Sequence, residues 1–109
     1  EMPAMEFLEK LARQKQYSAT VRGFSALFMR YAEKGKAGLT HEMFHEVDSK
    51  SEIWEFIKND LRIFCFRDGS HVVLTHGAIK KTQKVDPQEV TTASAAKRKY
   101  FEENNGKRP

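Results

Sequence analysis

The sequence predicts an α+β domain in which two N-terminal helices pack on an antiparallel sheet of three to four strands and a C-terminal helix closes the fold. Three observations carry this prediction. Apolar residues recur at helical spacing up to Gly35, three short β-rich runs follow one another between Ile53 and His76, and a helical composition returns after Pro87. The length of 109 residues fits one domain with a modest core. Residues 1–103 are expected to form it, with 104–109 as a flexible C-terminal tail.

The elements follow in order. Pro3 stands near a helix start, and Met5, Leu8, Leu11 and Ala12 at spacings of three and four predict an amphipathic helix to about Gln14. A second helix is expected from an N-cap at Ser18 to Lys34, with Val21, Phe24, Leu27, Phe28 and Tyr31 as its core stripe and Gly35 ending it. Two striped helices need a further layer to cover them. The runs Ile53 to Lys58, Leu61 to Arg67 and His71 to His76 supply it as a meander, broken at Asn59-Asp60 and at Asp68-Gly69. A two-residue loop at Asp68-Gly69 sets Arg62 opposite Thr75 and Leu61 opposite His76, and one at Asn59-Asp60 pairs Ile57 with Arg62. Gly77 is read as a turn after the last strand. Pro87 then opens a helix to about Glu103, with Val90, Ala93, Ala95 and Ala96 for close packing.

No run is apolar enough to span a membrane, and Glu1 to Lys10 is too acidic for a signal peptide, so a cytoplasmic protein is expected. Cys65, inside an apolar run, reads as a buried small hydrophobe. Charge is uneven along the chain. Eight cations from Lys80 onward face only four acids, whereas the 11 cations and 11 acids of residues 1–79 cancel, so the whole excess of +4 lies in the C-terminal third. Such asymmetry points to a nucleic-acid surface or to a solvated basic helix.

Two groups of residues invite chemistry. His41-Glu42-Met43-Phe44-His45 fits HExxH, in which two histidines one helical turn apart bind zinc and the glutamate activates water. A zinc hydrolase needs that motif on a long helix. Here Asp48-Ser49-Lys50-Ser51 follows at once, so these residues are expected to flank the buried pair Met43 and Phe44. The second group is Lys80, Lys81 and Lys84, launched from the end of a core strand, with Arg62 on a neighbouring strand offering a fixed fork to phosphate. His76 reads either as a proton carrier or as a strand-end residue, and Tyr100 as packing or as a base-stacking ring.

The succession Phe44-His45-Glu46-Val47, Ile53-Trp54-Glu55-Phe56-Ile57, Leu61-Arg62-Ile63-Phe64 and His76-Gly77-Ala78-Ile79-Lys80-Lys81-Thr82-Gln83-Lys84, with Glu89, Ala93 and Tyr100 following, resembles the phage-derived, HigB-like branch of the RelE toxins. The resemblance covers roughly Pro3 to Phe101, and the KKTQK string is its most specific part. It implies a microbial-ribonuclease-like fold and a toxin of a type II toxin-antitoxin system that cuts messenger RNA on the ribosome without metal or other cofactor. The implied partners are a cognate antitoxin, expected to be a helix-turn-helix protein, and the ribosome with its message. By position, Arg62 matches the sheet arginine and Lys80, Lys81 and Lys84 the basic cluster, with Tyr100 near the C-terminal aromatic. Arg62, Lys81 and His76 are thus the expected catalytic set, and Lys80, Lys84 and Tyr100 the expected RNA-binding set. The chain departs from the family at Ile57, where relatives often carry arginine, and at Ala78, usually aromatic. It also opens at Glu1 without the usual leading strand, as a processed or partial chain would. A toxin of the same fold that binds a topoisomerase, as ParE relatives do, is the alternative of a different class.

Overall fold

A computed structural model describes residues 3–80 and 86–105. The elements run α1 (Pro3–Ala12), α2 (Ser18–Lys34), a 3-10 turn (Gly35–Gly38), β1 (Phe44–Asp48), β2 (Ile53–Lys58), β3 (Leu61–Asp68), β4 (His71–Ile79) and α3 (Pro87–Asn105). The four strands form one antiparallel meander in the order β1-β2-β3-β4. This is the α+β architecture expected, with N-terminal helices and a C-terminal helix. The first strand, too short and polar to stand out in sequence, completes the sheet.

Alternation along the strands sorts side chains onto two faces. Leu61, Ile63 and Cys65 of β3 join Phe56 and Phe44 under Ala4, Leu8 and Leu11 of α1 and Phe24 and Leu27 of α2. On the other face, Phe64 and Phe66 join Ile53 and Ala93, with Tyr100 and Phe101 of α3 packed over them. The sheet is therefore a middle layer, with β3 buried along most of its length.

Helix ends follow local chemistry. Gly35 takes φ of 64° and donates its N–H to the Tyr31 carbonyl, closing α2 as only a left-handed residue does cheaply. At the start of α2 the expectation needs correcting. Tyr17 is the capping residue and makes no side-chain cap, while the Ser18 hydroxyl donates to the Lys15 carbonyl. Asp86 caps α3 by accepting the Gln88 N–H at 2.9 Å. That helix runs to Asn105, two residues past the end expected from sequence, and residues 106–109 of the expected tail lie outside the described residues.

The β3–β4 register differs from the expected one, for two physical reasons. The hairpin loop is Gly69-Ser70, with φ of 62° at Gly69, so Asp68 pairs with His71. Thr75 is then an extra residue, because Phe64 pairs with His76 and Cys65 with Leu74. In consequence Arg62 faces Ala78, not Thr75, and Leu61 faces Ile79, not His76. Gly77 is no turn but a strand residue opposite Ile63, and a Cβ there would run into the Phe7 ring of α1. The expected pairing of Ile57 with Arg62 holds. No helix among the described residues is long and apolar enough to cross a membrane.

A candidate active site on the sheet

The face under α3 carries a row of polar side chains, one or more from each strand. His45 of β1 pairs with Glu55 of β2, Glu55 with Phe64 of β3, and Phe64 with His76 of β4. Arg62 projects from the same face two residues before Phe64. Strand spacing sets Glu55 and His76, two strands apart, roughly 10 Å from one another at the backbone, with the flat Phe64 ring between them. The His76 ring stacks on Phe64 at 4.9 Å.

Glu55 lies at the centre and is 1% exposed. Its Oε2 is 2.9 Å from His45 Nε2, and its Oε1 is 3.7 Å from Arg62 Nε, beyond hydrogen-bond reach. Oε1 is thus a buried acceptor with no hydrogen-bond partner among the described residues. Burial raises the pKa of this carboxyl, and the neighbouring His45, Arg62 and Lys80 offset only part of the rise. His45 Nδ1 lies 2.9 Å from the His41 carbonyl, which only accepts. A proton on Nδ1 satisfies that carbonyl and leaves Nε2 facing Glu55. His45 and Glu55 are thus joined side chain to side chain.

Arg62 is 7% exposed, and its Nη1 donates to the carbonyls of Asn59 at 2.8 Å and Leu61 at 3.2 Å. These bonds fix the guanidinium against the β2–β3 turn. His76 is braced on both sides. Its Nδ1 is 3.1 Å from Thr75 Oγ1, whose own proton goes to the Phe64 carbonyl, and its Nε2 is 3.1 Å from Glu89 Oε1. Both ring nitrogens face acceptors, an arrangement that a doubly protonated ring satisfies. The second oxygen of Glu89 meets Lys80 Nζ at 3.1 Å, and Asp86 lies 3.9 Å from the same ammonium. Lys80 is anchored in turn by its N–H, which donates to the Asp60 carbonyl at 2.7 Å.

Of the residues expected from sequence, Arg62, His76 and Lys80 come together on this face. Lys81 and Lys84 lie outside the described residues. Tyr100 lies elsewhere, packing on Phe66, roughly 13 Å along β3 from Arg62, and donating its hydroxyl to Asp68 at 2.8 Å further on. The sequence had suggested no catalytic part for Glu55 or Glu89, and for His45 only that of a zinc ligand. A signal for Glu55 existed: pairing Ile57 with Arg62 already puts this carboxylate on the arginine's face of an otherwise apolar strand. The HExxH segment forms a turn leading into β1 and no helix, so its two histidines do not take up the helical spacing of a zinc site. His41 and His45 stack instead at 4.5 Å.

Among known families, the model for Phage derived protein Gp49-like (DUF891) matches residues 6–98 of the chain. No curated protein matches it.

Proposed function

The chain belongs to the phage-derived Gp49-like family, a family of RelE/HigB-like toxin-type proteins, and we propose that it is the toxin of a type II toxin-antitoxin system. Its activity is metal-independent cleavage of messenger RNA at the ribosome, and its partners are a cognate antitoxin, the ribosome and the message. The observation that carries this reading is the row of His45, Glu55, Arg62 and His76 across four adjacent strands.

The reaction explains why such a row is useful. A ribose 2′-OH attacks the adjacent phosphorus, its proton leaves to a base, and the departing 5′-oxygen takes a proton from an acid on the opposite side. Glu55, raised in pKa by burial and coupled to His45, is the base. His76, held with an N–H directed at an acceptor, is the acid. Negative charge gathers on the phosphoryl oxygens in the transition state, and Arg62 and Lys80 supply fixed positive charge there. Phe64, lacking any polar group, stands between base and acid on the intervening strand. Lys81 and Lys84, which follow Lys80 in sequence, keep in this reading the roles expected of them, Lys81 toward the phosphate and Lys84 toward flanking RNA. Tyr100, bonded to Asp68, contributes to RNA binding only beyond this row.

Induced expression in a bacterial host tests the reading. Glu55→Gln and His76→Gln keep size and shape, so each should fold as the parent does and restore growth. Primer extension on messages from parent-expressing cells should show breaks within translated codons that both variants lose. Intact messages with DNA damage in arrested cells would overturn the ribonuclease in favour of a topoisomerase poison.

A further inference from the structure

The first turn of α3 lies against the His76 end of the row just described. Glu89, the third residue of that helix, places one carboxylate oxygen 3.1 Å from His76 Nε2 and the other 3.1 Å from Lys80 Nζ. A planar anion bridging an imidazole N–H and an ammonium takes up the position and charge of the two non-bridging oxygens of a phosphodiester. We infer that Glu89 is a built-in occupant of the phosphate site, and that RNA enters by displacing it and lifting the first turn of α3. This inference rests on the ribonuclease reading for its ligand, although the displacement itself is a property of the folded chain.

Three features make that turn detachable. Its hold on the sheet is polar, since the fully buried apolar residue of α3 is Ala93 and the aromatic contacts of Tyr100 and Phe101 with Phe66 come later still. The ion pairs are partly open to water, with side-chain exposures of 16% for His76, 18% for Lys80 and 19% for Glu89, so they hold the turn only weakly. Glu89 also has another place to go. It stands three residues after the capping Asp86, the position from which a glutamate folds back onto the N–H of its own N-cap residue. Glu55, on the same face, has an Oε1 with no hydrogen-bond partner among the described residues, which leaves the row open to a further donor such as a ribose hydroxyl.

The test uses the full chain and a fluorescein-labelled RNA dodecamer with 2′-O-methyl ribose throughout, which cannot be cleaved. Fluorescence anisotropy should show Glu89→Gln binding it on the order of fivefold more tightly than the parent, the size expected from removing two weak, partly solvated ion pairs. Equal or weaker binding overturns the inference. Hydrogen exchange on the unaltered protein gives a second reading that needs no variant. Amides of the first turn of α3 should lose protection when the RNA binds while those of its C-terminal half do not, and unchanged protection at the first turn overturns the inference. The two proposals fail separately. Tighter binding by Glu89→Gln with no message cleavage in a translating extract leaves the occluder standing and removes the ribonuclease. Cleavage by the parent with no gain in Glu89→Gln does the reverse.

Discussion

Arg62 ties the stability of the sheet to the proposed chemistry. Its guanidinium is bound to two backbone carbonyls and stands beside the buried Glu55. Removing it leaves a carboxylate buried with less compensation, so Arg62→Ala should destabilise the fold by about 3 kcal/mol in urea melts. Loss of toxicity in that variant therefore has to be read beside its melting curve, and Arg62→Lys, which keeps the charge, should recover most of the stability and little of the activity. Glu55 carries a pH signature. Burial raises its folded-state pKa, so the folded chain holds this proton more tightly than the unfolded one. Its contribution favours folding below the ordinary carboxylate pKa and is lost as pH rises through the raised value. Urea melts from about pH 4.5 to pH 7 should show the parent losing stability relative to Glu55→Gln across that interval. Cleavage should fall in the opposite direction, on acidification, because the base must be ionised.

Among the elements, the hairpin β3–β4 is where sequence and structure part company. The body and C-terminal end of helix α2 were legible from its apolar stripe and Gly35, and Pro87 marked the start of α3. These are local signals, written in propensity and capping chemistry. The bulge at Thr75 is not local. It is stabilised by the Thr75 hydroxyl donating to the Phe64 carbonyl across the hairpin and by the fit of neighbouring residues against both helical layers. Gly77 belongs to the same fit, since it leaves room for Phe7 of α1 to lie flat on β4. Gly77→Ala should cost about 2 kcal/mol by overpacking, measured by thermal or urea melts. The same change made in a Phe7→Ala background should cost at least about 1 kcal/mol less, because the two residues share one space. An equal cost in both backgrounds would mean that the glycine is needed for another reason.

At the scale of the molecule, the polar row ends where Lys80 leaves β4. The excess positive charge of the C-terminal third gives that exit a measurable consequence. Changing Lys80, Lys81 and Lys84 together to Gln should reduce the salt dependence of single-stranded RNA binding by a log–log slope of about 2, since each lysine on a phosphate displaces a fraction of a counterion. An unchanged slope would place the RNA elsewhere on the protein. The sequence by itself determined the helices, the existence of the meander, the pairing of Ile57 with Arg62 and the concentration of cations after the last strand, because these depend on periodicity, turn chemistry and composition. Only the tertiary structure decided which groups meet. Without the extra residue at Thr75, alternation along β4 would turn His76 toward α1 and α2. With it, His76 faces α3 in line with His45, Glu55 and Arg62. A shift of one residue in register reverses the face of every side chain beyond it, and that choice is made by packing between layers far apart in the chain.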